Sequence, residues 1–343
     1  MNTADIIQAW GKILKGEQPS LSIEITRECP LKCPGCYAYD AAHLGGGLTL
    51  RELNDWEGQS LVDGVVSLVD RLKPVHLSLV GGDPLVRYRE LELMIPQLLA
   101  RKIHVQIVTS AFRPWTLQWS TLQHLDVVVS IDGLQPEHDL RRAPATYDRI
   151  LKNIAGQKIT IHCTVTGQMM KHPGYLNDFL RFWTPRPEIK KVWFSLFTPQ
   201  VGDTLPEMLE PQERAQAIVV MQQLRKRYPK LDMREGLIRQ FASPPHTPQD
   251  CVFALTTKAF STDLQTEITP CQFGGHPDCG SCGCIASMGL AAVAAHKWGG
   301  IVPVGVLFRT SVKIGQIRRR GRARLQSNDK TCVSRIGELE VKH

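Results

Sequence analysis

The sequence predicts an α/β protein built on parallel strands, and three observations carry that prediction. Between residues 20 and 200, six apolar, β-prone runs alternate with segments of helix length. Alternation of this kind calls for a parallel sheet with right-handed crossovers. Polar and glycine-containing motifs fall just past the ends of several runs, where parallel α/β folds gather their reacting groups. A cysteine-rich stretch then begins at Cys251, beyond the alternating region. The strand–helix pattern alone fits an open barrel or a doubly wound sheet equally well.

The 343 residues are enough to bury a large core in one big domain or two. Met1 to Gly16 is not a signal peptide, because Asp5, Lys12 and Lys15 interrupt it. It reads as a short amphipathic helix with Ile6, Ile7, Trp10, Ile13 and Leu14 on one face. Ten cysteines in a chain without a secretory signal argue for a reducing, cytoplasmic setting and for metal use over disulfides. The formal net charge is +8, but residues 309–343 hold ten Lys/Arg against three acids. The basicity therefore belongs to a tail, and no nucleic-acid partner is expected for the nearly neutral body.

The first strand, Leu21–Thr26, leads into Cys29-Pro-Leu-Lys-Cys33-Pro-Gly-Cys36, followed by Tyr37. Three thiolates this close on one loop suit three irons of a cubane cluster and leave the fourth iron open. Zinc is the alternative, but structural zinc takes four ligands and no fourth lies nearby. A helix over Leu50–Leu72 precedes the second strand, Val75–Val80, which ends in Gly81-Gly82-Asp83-Pro84. Two glycines there let backbone pass close to a ligand. After a helix over Arg87–Arg101, the third strand, His104–Thr109, ends in Thr109-Ser110-Ala111. A helix over Trp115–His124 leads to the fourth strand, Asp126–Ile131, and to Ser130-Ile131-Asp132-Gly133. Ser130 and Asp132 lie on one side of that strand. His138-Asp139-Leu140-Arg141-Arg142 follows, and Arg142 is suited either to clamp a carboxylate or to pair with Asp139 at the surface.

A helix over Thr146–Ala155 precedes the fifth strand, Lys158–Thr166. Cys163 reads there as a small buried apolar residue. His162, on the opposite face with Thr164 and Thr166, is a candidate proton carrier. A helix over Tyr175–Trp183 and a sixth strand, Lys191–Phe197, complete the repeat. A helix over Pro211–Tyr228 and a Pro-rich linker, Ser243–Asp250, separate it from Cys251, Cys271, Cys279, Cys282 and Cys284. The residues from Phe260 to Cys271 read as a hairpin that returns Cys271 beside Cys251. The Cys279–Cys284 loop offers three more thiols to that pair, and zinc is one reading of the group; Cys332 is left unpaired. The apolar stretch Ile285–Phe308 is too interrupted by glycine and proline to span a bilayer. With Arg318–Arg324 after it, it suits contact with an anionic membrane surface, or else a helix over the barrel and a disordered tail.

The C-x3-C-x2-C run resembles the signature of the radical S-adenosylmethionine (SAM) superfamily. The resemblance implies a partial (β/α)6 TIM-like barrel with a small cysteine-rich C-terminal extension. It further implies a 4Fe–4S cluster at Cys29, Cys33 and Cys36 whose open iron chelates SAM. Reductive cleavage of SAM would then give a 5′-deoxyadenosyl radical, with flavodoxin or ferredoxin as the electron donor. Gly81-Gly82-Asp83 resembles the family's GGE motif, with Asp for Glu, and Ser130, Asp132 and Arg142 match a pattern of its peptide-modifying branch. SAM contacts are thus expected from Gly81, Gly82, Asp83, Ser130, Asp132 and Arg142. Gly35 stands where many members carry an aromatic residue, so Tyr37 is expected to take over packing near the adenine. The later cysteines resemble a SPASM/twitch extension, reduced to a single auxiliary 4Fe–4S cluster. The organisation expected is an N-terminal helix (1–19), the partial barrel (20–200), a helical connection and linker (201–250), the auxiliary-cluster region (251–290) and an apolar segment with a basic tail (291–343). The substrate expected is a small molecule or lipid, since only about nineteen residues precede the first strand to bind a leader. Modification of a ribosomally made peptide, or a non-catalytic electron carrier, is the alternative.

Overall fold

The computed structural model describes residues 3–44, 52–298 and 302–320. Besides a short antiparallel pair, Lys297–Trp298 with Val302–Pro303, its strands are β1 (Ser20–Glu24), β2 (His76–Val80), β3 (His104–Thr109), β4 (Leu125–Ser130), β5 (Ile159–Val165), β6 (Ile189–Leu196) and β7 (Thr257–Phe260). They form one parallel sheet in the order β6-β5-β4-β3-β2-β1-β7, open at both ends. This is an open, partial TIM-like barrel. Parallel strands with helical crossovers are covered on the outside. Accordingly Leu21, Ile23, Leu77, Leu79, Val105, Ile107, Val127 and Ile161 are buried in one continuous core. On β3 every second residue is buried and the intervening ones are half-buried, the period-two pattern of a strand with one face on the helices and one on the barrel interior.

The helices are α1 (Thr3–Leu14), α2 (Gly58–Leu72), α3 (Tyr88–Ala100), α4 (Glu137–Arg142), α5 (Tyr147–Asn153), α6 (Gly167–Met170), α7 (Tyr175–Trp183), α8 (Pro211–Arg227), α9 (Glu235–Gln240), α10 (Val252–Thr256) and α11 (Ile285–Ala295). A last helix, α12, covers residues 304–320. The α2 helix begins at Gly58, and the first residues of the expected segment fall outside the described set. Where a full helix was expected over Trp115–His124, only a 3-10 turn forms, Leu117–Thr121.

The seventh strand is new relative to the sequence reading. Thr257–Phe260 is four residues long and pairs in parallel with β1, Ser20 opposite Thr257 and Ile23 opposite Phe260. The expected hairpin follows it. Phe260 bridges Glu267, Ser261 N–H donates to the Thr266 carbonyl and Ile268 N–H to the Ala259 carbonyl. Asp263 holds the turn by accepting from the backbone of Gln265 and Thr266 and from the Thr266 hydroxyl.

The stretch expected as one apolar segment after Ile285 is two helices. α11 packs on α9, and α12 lies against α1 with the Trp10 and Phe308 rings edge-on at 6.1 Å. No helix among the described residues is long and apolar enough to cross a membrane. Residues 321–343, with Cys332 and the rest of the basic run, lie outside the described residues.

Candidate functional site

The site begins where β1 runs out. Beyond Glu24 the chain stays paired for one more residue, Ile25 N–H to the Val80 carbonyl, and then lays its backbone over the end of β2. Gly82 N–H donates to the Thr26 carbonyl at 2.7 Å and Asp83 N–H to the Glu28 carbonyl at 2.9 Å. A Cβ on Gly81 would strike the Thr26 oxygen, and one on Gly82 the Glu28 oxygen; Gly81 also has φ +129°. The backbone that passes close to the two glycines is therefore the cysteine loop itself.

Asp83 locks the next strand end to this junction. Its Oδ1 accepts from Leu85 N–H (3.0 Å) and the Thr109 hydroxyl (2.7 Å), and its Oδ2 from Ser110 N–H (2.8 Å) and the Ser110 hydroxyl (2.6 Å). At 2% exposure, with four donors on two oxygens, the carboxylate joins β2 to β3 and is directed away from solvent. A second brace comes from Asp55, which accepts from the Thr26 hydroxyl and from Arg27 N–H. Arg87 in turn links Asp55, Glu28 and Glu57.

On this foundation stand Cys29, Cys33 and Cys36, none of them in a disulfide. Burial pushes the Cys29 thiol up to about 12, and it raises those of Cys33 and Cys36 as well. Cys33 and Cys36 each add to the rise at Cys29, so the three sulfurs lie within electrostatic reach of one another. At Cys33 the strongest opposing influence is Arg142, which favours the thiolate. Three sulfur donors on one loop, desolvated and beside a guanidinium, fit a positively charged cluster that would stabilise them as thiolates. An open cleft of about 650 Å³ adjoins them, lined by Arg27, Cys29, Leu31, Lys32, Cys33 and Tyr39 among others.

The end of β4 faces the same loop. Asp132 accepts from Arg142 at 2.7 and 2.8 Å and from Thr164 N–H at 3.0 Å, and Arg141 stands 3.5 Å away. Burial alone would raise the Asp132 carboxyl, but Arg142, then Arg141 and the Thr164 amide hold it well below the usual carboxylate range. Arg142 therefore pairs with Asp132, while Asp139 caps α5 by accepting from Tyr147 N–H. His138 is buried and accepts from Asp132 N–H while its Nε2 reaches the Ala145 carbonyl. Ser130 is half-buried and faces His162 across the β4–β5 ladder. His162 contacts the Ser195 hydroxyl at 2.7 Å on β6; burial lowers its pKa. Cys163 is buried in the core, as expected of a small apolar residue.

The second cysteine group is set on the end of β6. Leu196 N–H donates to the Gly283 carbonyl at 3.0 Å, and Gly283 N–H to the Thr198 hydroxyl at 2.8 Å. Arg214 of α8 clamps the loop by donating to the carbonyls of Ser281 (2.9 Å) and Cys282 (2.7 Å), and also to that of Phe241. Cys251, Cys271, Cys279, Cys282 and Cys284 line one cavity with Phe253. Burial pushes Cys271 up to about 12 and Cys279 to about 11, and raises Cys282 and Cys284 too. Among the described residues no three His, Cys, Asp or Glu side chains converge on one ion.

Tyr37 lies between the two groups. Its ring packs edge-on against Phe273, 5.1 Å between centroids, and tilts against His43 at 5.5 Å. Burial raises its phenol, and Glu24, Cys36, Cys284 and Cys271 all add to the rise. Sequence reasoning missed His43, Glu24 and Arg214. Glu24 offered one signal, an acid inside an otherwise apolar strand run.

Residues 23–179 match the model of the Radical SAM superfamily. That stretch, a little under half of the chain, is similar to radical SAM domains. Among solved structures, the chain resembles Streptococcus suis SuiB, at 16% identity and a TM-score of 0.54, over 76% of this chain and 62% of that one. The same values hold for SuiB bound to S-adenosylmethionine. For SuiB bound to the precursor peptide SuiA they are 15% identity and TM-score 0.52, over 76% and 61%. The chain thus spans just over three fifths of the SuiB length, and the likeness is one of fold. No curated protein matches the sequence.

Proposed function

We propose that the chain is a radical SAM enzyme that abstracts hydrogen from a small-molecule or lipid-like substrate. Three free thiols at the C-terminal end of β1, braced on Gly81 and Gly82 in a stretch similar to radical SAM domains, carry this reading. Cys29, Cys33 and Cys36 would hold a 4Fe–4S cluster, and the five later cysteines an auxiliary one. When bound, the first cluster supplies one-electron reductive cleavage of SAM to a 5′-deoxyadenosyl radical. The residues of the chain bind, orient and shield. Asp83 fixes the junction of the β2 and β3 ends beneath the loop. Asp132 keeps Arg142 charged beside Cys33, where it favours thiolate over thiol. A flavodoxin- or ferredoxin-type donor would supply the electron, and the basic end of the chain would meet an anionic membrane.

Modification of a ribosomally made peptide is the second reading, favoured by the fold likeness to SuiB, which is recorded with its precursor peptide. Anaerobic full-length protein with dithionite and SAM should release 5′-deoxyadenosine, and Cys33→Ser should abolish the release. No release from fully clustered protein would sink the enzyme reading. Iron and sulfide counts on a variant lacking Cys29, Cys33 and Cys36 test the second group. About four irons retained support the auxiliary cluster, and none favours zinc there or an empty group.

A further inference from the structure

We infer that His43, paired with Glu24, is a positioning residue that sets where the second cysteine group stands against the first. This rests on the function proposed above, since the things positioned are the thiolates of two clusters.

His43 is 0% exposed. Its Nε2 lies 2.8 Å from Glu24 Oε1 and its Nδ1 2.8 Å from the Phe273 carbonyl oxygen. Both ring nitrogens therefore face oxygens that bring no proton of their own. A neutral imidazole has only one N–H and satisfies only one of them. The pair thus holds one proton more than a neutral ring beside a carboxylate. Glu24 Oε2 also accepts from the Ser261 hydroxyl at 3.1 Å. Four segments meet at this joint: β1, the loop after Cys36, the turn after β7, and the segment after Cys271.

The neighbours make the joint close-fitting. Gly274, at φ +64°, lies so near His43 that a Cβ there would collide with the His43 carbonyl. Tyr37 follows Cys36 directly, Phe273 is two residues past Cys271, and their rings touch beside His43. A shift at His43 is therefore passed to a ligand of each group. The acids facing His43 are Glu24 from β1 and Asp40 from its own loop; the second region presents the Phe273 carbonyl. Burial opposes the imidazolium, but the Glu24 hydrogen bond and charge outweigh it and raise the His43 pKa above the ordinary imidazole value. The joint is thus complete below the ordinary imidazole range and is lost as pH rises through the raised value.

Hydrogen exchange on the full-length chain tests this, following amides 271–276 with β3 and β4 amides as internal reference. In the wild type, protection of 271–276, corrected for intrinsic exchange, should fall by up to tenfold per pH unit above the His43 transition. Glu24→Gln supplies an amide N–H to a neutral ring, so it should keep the protection and flatten its pH dependence. His43→Ala should lose the protection at every pH. pH-independent wild-type protection, or a Glu24→Gln profile matching wild type, would overturn the inference even if His43→Ala does not fold. Iron counts on the same samples separate the two readings. An iron-free second group ends the auxiliary-cluster reading, while the exchange profile still decides the joint.

Discussion

Gly82 shows how much can rest on one missing side chain. Its neighbour across the junction is a main-chain oxygen, that of Glu28, which cannot move aside as a flexible side chain can. Gly82→Ala should therefore displace the cysteine loop and cost about 2–4 kcal/mol. A thermal melt with an iron count on the same sample would show both losses together, and an unchanged iron content would contradict the role given to the glycine. Asp132 makes the complementary case for charge. Asp132→Asn leaves Arg141 and Arg142 without the carboxylate that both face, a loss of about 3–5 kcal/mol for a buried pair broken on one side. Because its carboxyl is held low, the wild-type contribution is present at neutral pH and is lost only as pH falls through that depressed value. Acid unfolding of wild type and Asp132→Asn should thus converge only in strong acid.

Arg214 belongs to the scale of elements, because it ties α8 to the cysteine loop 279–284 through two carbonyls. Arg214→Lys keeps the charge but gives up the planar fork that reaches several acceptors at once. We expect it to lower iron retention by the second group, up to about four irons per chain, while 5′-deoxyadenosine release at the first group persists. Equal iron content in variant and wild type would remove the clamp from the account. Elements also differ in how legible they were. Strands β2 to β5 announced themselves by alternation and by the motifs at their ends, because period and turn chemistry are local. The strand β7 did not, since four residues carry too little pattern and its partner β1 lies more than two hundred positions away. The cysteine loop was readable from spacing alone. The His43 joint was not, because 230 positions separate His43 from the Phe273 carbonyl. Asp83 was legible only as part of a Gly-Gly-Asp motif, and its four donors come from turns whose geometry no local pattern discloses.

At the scale of the whole molecule, the two ends of the described chain lie together, Gly315 of α12 packing on Ile13 at the end of α1 and on Gly16 just past it. The outer side of α12 exposes Val306, Leu307, Ile314 and Ile317, the last at 69%, and the end of the helix carries Arg318, Arg319 and Arg320, all exposed, with Arg318 also donating to the Leu14 carbonyl. Apolar side chains beside clustered arginines suit an anionic bilayer surface. Replacing the three arginines by glutamine should weaken sedimentation with vesicles containing phosphatidylglycerol by about fivefold for each charge removed. Sedimentation that is indifferent to both salt and the substitutions would discard the membrane partner.

The pairing of β1 with β7 also dictates an order of events as the chain is made. β1 is synthesised almost first, yet one of its two neighbours is not complete until Phe260. At about 5–20 residues per second, that edge stays open for roughly 10–50 s on the ribosome. The strand carrying Glu24 and leading into the first cysteines therefore remains half-paired until the second cysteine region begins to emerge. Iron delivered before then meets an unfinished barrel, and iron delivered afterwards meets a loop already held from both sides.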